Sequence, residues 1–107
     1  MFSKYRHPRN VATICLAIVA TDGSSRWWRP EFYRYPELFA RRLSVAAVAG
    51  GPEFLRVTLW CAAEILRLIR LERGSTAGIA AIRMVDRTPR GDHFDERILA
   101  EVPVGKL

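Results

Sequence analysis

The alternation of apolar and polar positions predicts a short series of elements. Residues 11–20 form an apolar run with β-branched side chains at Val11, Thr13, Ile14, Ile18 and Val19, and Thr21-Asp22-Gly23-Ser24 follows with turn chemistry. This reads as a strand buried on both faces, or nearly so. Pro30-Glu31-Phe32-Tyr33, Pro36-Glu37-Leu38-Phe39 and Pro52-Glu53-Phe54-Leu55 then repeat one arrangement. Proline suits the first helical position, where its missing N–H costs nothing, and the glutamate beside it complements the helix dipole. Three helix starts are therefore expected. The first runs for a single turn, because Pro36 disfavours helix at Tyr35. The second is expected over 36–49, ended by Gly50-Gly51, and the third begins at Pro52.

The third helix carries the strongest periodicity. Leu55, Leu59, Ala62, Leu66 and Ile69 share one face, with Phe54, Val57, Cys61, Ile65 and Leu68 beside them, and only a stripe through Glu53, Arg56, Glu64 and Arg67 is polar. Arg70, Arg73 and then Gly74 mark its end. About twenty residues make roughly 30 Å of helix, the length of about nine strand residues, so this helix can lie along a sheet. Glu53, Arg56, Glu64, Arg67 and Arg70 would each cost about 2.5–3.5 kcal/mol near a bilayer centre. The apolar zone 45–71 is thus expected to be a buried helix and not a membrane span.

Alternation returns after the linker at 75–78. Over 79–87, Ala80, Ile82 and Met84 fall on one face and Arg83 and Arg87 on the other. Pro89-Arg90-Gly91-Asp92 reads as a turn. Over 96–104, Ile98, Ala100, Val102 and Val104 are expected inward, with Arg97, Leu99 and Glu101 outward. The two strands should form an antiparallel hairpin across a loop of about seven residues. The expected order is β-α-α-β-β. That is an α+β fold: a small antiparallel or mixed sheet of about three strands and two helices, the long helix packed on one face. A basic arm at 1–10 precedes this single domain at 11–107. Such a sheet leaves open edges, which proteins must manage, and homodimerisation is expected.

Charge changes this picture more than overall composition does. The net charge is +6. Residues 1–42 hold eight Lys or Arg against three acids, and residues 43–107 hold nine against eight. The basic surplus therefore lies in the first two-fifths of the chain and favours an acidic partner: nucleic acid, an acidic protein surface or anionic lipid. Lys4, Arg6 and Arg9 ahead of the 11–20 run have the outline of a secretory signal, but Ile18 occupies the small-residue position needed for cleavage after Ala20. A cytoplasmic protein is expected, with Cys15 and Cys61 as buried reduced thiols, since their separation has neither zinc nor redox spacing.

Candidate chemistry is sparse. Asp92-His93-Phe94-Asp95 sets an imidazole between carboxylates, with Arg90 and Arg97 near, as a small ribonuclease-like enzyme would need. No nucleophile is tied to it by spacing. Ala47, Gly51 and Val57 have helix-turn-helix spacing, but the second helix lacks side chains aimed at bases. Gly74-Ser75-Thr76-Ala77-Gly78 lacks the lysine of a phosphate-binding loop. No catalytic residue, metal ligand or cofactor is assigned.

What stands out is 26–42, which holds six of the eleven aromatic residues and five of the fifteen arginines. Arginine and tryptophan are enriched at binding hot spots, and arginine both stacks on rings and forks onto carboxylates. Trp27 and Trp28 are adjacent, so in extended chain one points inward and one outward. Arg26, Trp27, Trp28, Arg29, Tyr33, Arg34, Arg41 and Arg42 are the expected binding residues. The expectation is a small non-enzymatic interaction protein. Its basic aromatic segment would meet an acidic protein partner or a homodimer mate. The alternative is nucleic-acid binding, by arginine–phosphate contacts and aromatic stacking.

Overall fold

The computed structural model describes residues 14–29 and 35–107. The elements are β1 (Ile14–Ala20), β2 (Ser25–Trp27), α1 (Tyr35–Ala49), α2 (Gly51–Arg73), β3 (Ile79–Arg90) and β4 (His93–Pro103), followed by a 3-10 turn at Val104–Lys106. The strands make one antiparallel sheet in the order β2-β1-β3-β4. The α+β class, the two helices and the long helix on one face are as the hydrophobic pattern predicts. The expected arm at 1–10 and the single turn at Pro30 lie outside the described residues.

The β1–β2 hairpin is closed by side-chain chemistry local to its turn. Asp22 Oδ1 accepts from the Ser24 N–H at 2.9 Å and from its hydroxyl at 2.6 Å. These two bonds hold the Asp22 carboxyl below its ordinary range. The Trp28 N–H then donates to the Leu16 carbonyl at 2.8 Å, which carries the pairing past β2 and turns Trp28 under the sheet.

One face of the sheet builds the core. Ile14, Leu16 and Ile18 of β1, Ile82 and Met84 of β3 and Val102 of β4 meet Phe39 and Leu43 of α1 and Cys61, Ile65, Leu68 and Ile69 of α2. Helix α1 lies against β1 and α2, and α2 against β3 and β4. The helices join through Gly50, at φ 72° and ψ −174°, and Gly51, at φ 58°. The Gly50 conformation is essentially restricted to glycine. It reverses the chain with no intervening loop, while the Gly50 N–H donates to the Ala46 carbonyl at 2.8 Å to finish α1.

Four details differ from the sequence expectation. The sheet has a fourth strand, β2, which at three residues is too short to show alternation. The β3–β4 loop is a two-residue turn at Gly91-Asp92, not seven residues, because cross-strand pairing runs on to Arg90 and His93. A bulge shifts the register between Met84 and Val85, so Met84 faces Ala100 and Val85 faces Ile98. The unpaired Leu99 packs against the core, and Ile98 swings to the other face at 56% exposure. Finally, Leu55 and Leu59 are exposed. The full burial of α2 falls mostly over Cys61 to Ile69.

Two stability measurements follow. Gly50→Ala should lower unfolding free energy by about 1–3 kcal/mol in urea denaturation, the cost of forcing a Cβ into this backbone region; an unchanged midpoint would contradict the reversal described. Thr58 is 2% exposed, and among the described residues its hydroxyl has no hydrogen-bond partner. Thr58→Val removes that unsatisfied group at little cost in shape and should stabilise by about 1 kcal/mol; a clear loss of stability would show that the hydroxyl is satisfied.

Candidate interaction surfaces

No described element covers the sheet face opposite the helices. By register it carries Cys15, Ala17 and Val19 of β1, Ser25 and Trp27 of β2, Ala81, Arg83, Val85 and Arg87 of β3, and Phe94, Glu96, Ile98 and Glu101 of β4. Its centre is apolar and small. Its charges are paired directly across strands: Arg83 Nε donates to Glu101 at 2.7 Å, and Arg87 Nε to Glu96 at 2.8 Å. The Arg87 guanidinium also lies 5.0 Å from the Trp27 ring centroid and 3.9 Å from that of Phe94. Two rings and a carboxylate thus fix one arginine, each contact being favourable for a planar cation. Beside this stack an open groove of about 600 Å³ is lined by Trp27, Arg26, Arg83, Val85, Glu96 and Ile98.

A second surface lies on the helices. Trp28 packs tilted on Phe39 at 5.8 Å, and Phe39 meets the Trp60 ring edge-on at 5.5 Å. The Arg42 guanidinium sits 4.7 Å over Trp60. This ladder runs from the core to the surface. It ends at a shallow groove of about 400 Å³ lined by Arg41, Arg42, Val45, Ala46, Ala49, Glu53 and Val57.

The structure therefore distributes the residues singled out from the sequence. Arg26 and Trp27 belong to the sheet groove. Trp28 is buried in the core and Arg29 is exposed just after it. Arg41 and Arg42 line the helical groove. Tyr33 and Arg34 lie outside the described residues. The adjacent tryptophans do point to opposite faces, as extended chain requires. The sequence pattern gave Trp60 no role, placed Ile98 inward, and set Arg83 and Arg87 only on the strand face opposite Ala80, Ile82 and Met84. The i, i+4 spacing of those two arginines on one side of β3 was the available signal.

His93 sits at the turn beside Gly91-Asp92, with Nδ1 3.3 Å from Asp92 and Nε2 3.7 Å from Asp95, and its side chain is 64% exposed. Arg90 Nε donates to Asp95 at 2.7 Å. This cluster lines neither groove. Among the described residues no group of three or more His, Cys, Asp or Glu side chains could hold a metal ion, and no helix is long and apolar enough to cross a membrane.

Cys15 and Cys61 are free thiols. Cys61, next to Trp60, is wholly buried, and burial pushes its thiol up to about 12 from 9.0, against a smaller opposing pull from Arg42. Below pH 9 both folded and unfolded chains keep this proton. Between about pH 9 and about 12 only the unfolded chain releases it, so stability falls with rising pH across that window. Cys61→Ala should make the denaturation midpoint less pH-dependent above pH 9 than in the parent; parallel curves would rule the coupling out. Comparison of the chain with protein-family models, with curated proteins and with solved structures returned no match.

Proposed function

We propose that this is a non-enzymatic interaction protein that self-associates through the helix-free face of its sheet, with Arg26 and Trp27 at the rim of the contact. The observation that carries the reading is the paired state of the charges there. Arg83 and Arg87 each have a glutamate partner, and Arg87 is also held between Trp27 and Phe94. A chain of net charge +6 repels its own copy over most of its surface. A face whose arginines are matched by glutamates escapes that repulsion, and under two-fold symmetry it can exchange the same pairs between copies. Its middle is apolar, with Ile98 and Phe94 exposed and free of charge.

The same pairing weighs against nucleic acid at this face. Phosphate binding draws on cations that are free to replace counterions. Arg83 and Arg87 would have to leave their glutamates first, which leaves Arg26 alone at the groove.

Sedimentation equilibrium tests the reading. The parent should be dimeric at micromolar concentration, and Ile98→Arg should weaken the dimer by about tenfold or more, because a charge is then buried without a partner, while the melting curves of the two diluted to monomer stay alike. A parent that stays monomeric at the highest soluble concentration, or co-purifies with nucleic acid in a steeply salt-dependent way, overturns it.

A further inference from the structure

Helix α1 is apolar on two sides. Phe39, Leu43 and Ala46 face inward and are buried. Leu38, Val45 and Val48 share the other side at i, i+7 and i+10, with exposures of 51%, 68% and 90%. No described element covers them. Continuing on α2, Leu55 is 59% exposed. The groove between the helices has an apolar floor of Val45, Ala46, Ala49 and Val57, and its alanines let another backbone come close. Arg41 and Arg42 stand at one end.

The charge state of this groove is the opposite of that on the sheet. Among the described residues neither Arg41 nor Arg42 has a carboxylate within ion-pair distance, and Glu53, the acid in the lining, is taken by Arg56 at 3.1 Å. Arg42 is also held in place, since Trp60 lies under it and Phe39 braces Trp60. A pre-positioned guanidinium loses less freedom on meeting a carboxylate than a mobile one does.

From these observations we infer that the α1–α2 groove, with Arg41 and Arg42 at its end, is a docking site for an acidic amphipathic helix of another protein. Apolar side chains of that helix would lie on Val45, Ala49 and Val57, and its carboxylates would fork onto the two arginines. A helical occupant fits the groove best, since its walls are helices. Their main-chain groups are already bonded and offer nothing to an extended strand, so the incoming segment has to satisfy its own backbone. The surplus arginines and the overall positive charge select an acidic segment over a basic one and speed its approach. This surface is separate from the sheet face, so the inference stands or falls independently of self-association.

The test uses fluorescence anisotropy with the full-length protein and a labelled synthetic peptide carrying leucines at helical i, i+3 and i+4 spacing with glutamates flanking them. Three control peptides accompany it: the same sequence with lysine for glutamate, a scramble of equal composition, and polyglutamate. The acidic amphipathic peptide should bind, and each control should bind about tenfold more weakly or worse. Arg41→Glu and Val45→Asp should each weaken binding by about tenfold, while Asp92→Asn at the exposed β3–β4 turn, outside both grooves, leaves it unchanged. Arg41 and Val45 are exposed, so neither variant depends on the Trp60 stack for its folding. Absence of binding by the acidic helix, equal binding by its scramble or by polyglutamate, or an affinity unmoved by Arg41→Glu overturns the proposal. So does a Val45→Asp variant that changes the oligomeric state and not the peptide affinity, because the face would then belong to a second copy.

Discussion

Everything in this protein depends on burying one stripe of α2 against one side of the sheet. Cys61, Ile65, Leu68 and Ile69 meet Ile82, Met84 and Val102, and the same contact leaves the inner side of β1 closed by α1. Burial at about 25 cal/mol per Å² makes this the dominant favourable contribution. It also decides which surfaces remain. With both helices on one side, the opposite side of the sheet is left to side chains alone. With the burial of α2 concentrated in its second half, its first half must rely on α1, and the far side of α1 is left outward.

The two exposed surfaces differ in how charge is handled, and that difference organises the functional reading. On the sheet the cations are neutralised by cross-strand carboxylates, and Arg87 is also held by stacking on two rings. Exposed pairs of this kind add little to stability, but they remove the repulsion that a basic chain would otherwise impose on its own copy. On the helices, Arg41 and Arg42 have no carboxylate partner among the described residues, and the aromatic ladder beneath Arg42 fixes its position without cancelling its charge. One face suits a balanced, self-complementary contact, the other an acidic one. Residues of the basic aromatic segment at 26–42 fall on both, because Trp27 of β2 lies at the open face of the sheet while Arg41 and Arg42 stand on α1.

Local chemistry was legible wherever it could be satisfied within a few residues. The Asp22-Gly23-Ser24 turn, the Gly50-Gly51 break and the Gly74 helix end all follow from backbone preferences that act over one turn. So does the opposite facing of Trp27 and Trp28. Three-residue β2 escaped notice because a strand that short has no measurable period, and it is a strand because it pairs antiparallel with Ala17, Ile18 and Val19 of β1. The sides of β4 were misassigned at Ile98 and Leu99, since a bulge is a property of the pairing and not of the strand.

The sequence by itself determined the class of fold, the two helices, the long helix's place on one face and the concentration of arginine and tryptophan in 26–42. Periodicity and helix-end chemistry are written in each segment and need no partner to be read. Only the tertiary structure decided what became of the arginines. Arg83 and Arg87 acquired glutamates because β3 and β4 set them directly opposite Glu101 and Glu96, while Arg42 acquired Trp60 because the Gly50 reversal folds α2 back beside α1. Whether a cation is neutralised, stacked or left free depends on groups distant in the chain. That is why the composition of 26–42 could point to binding, while the choice of surface waited for the fold.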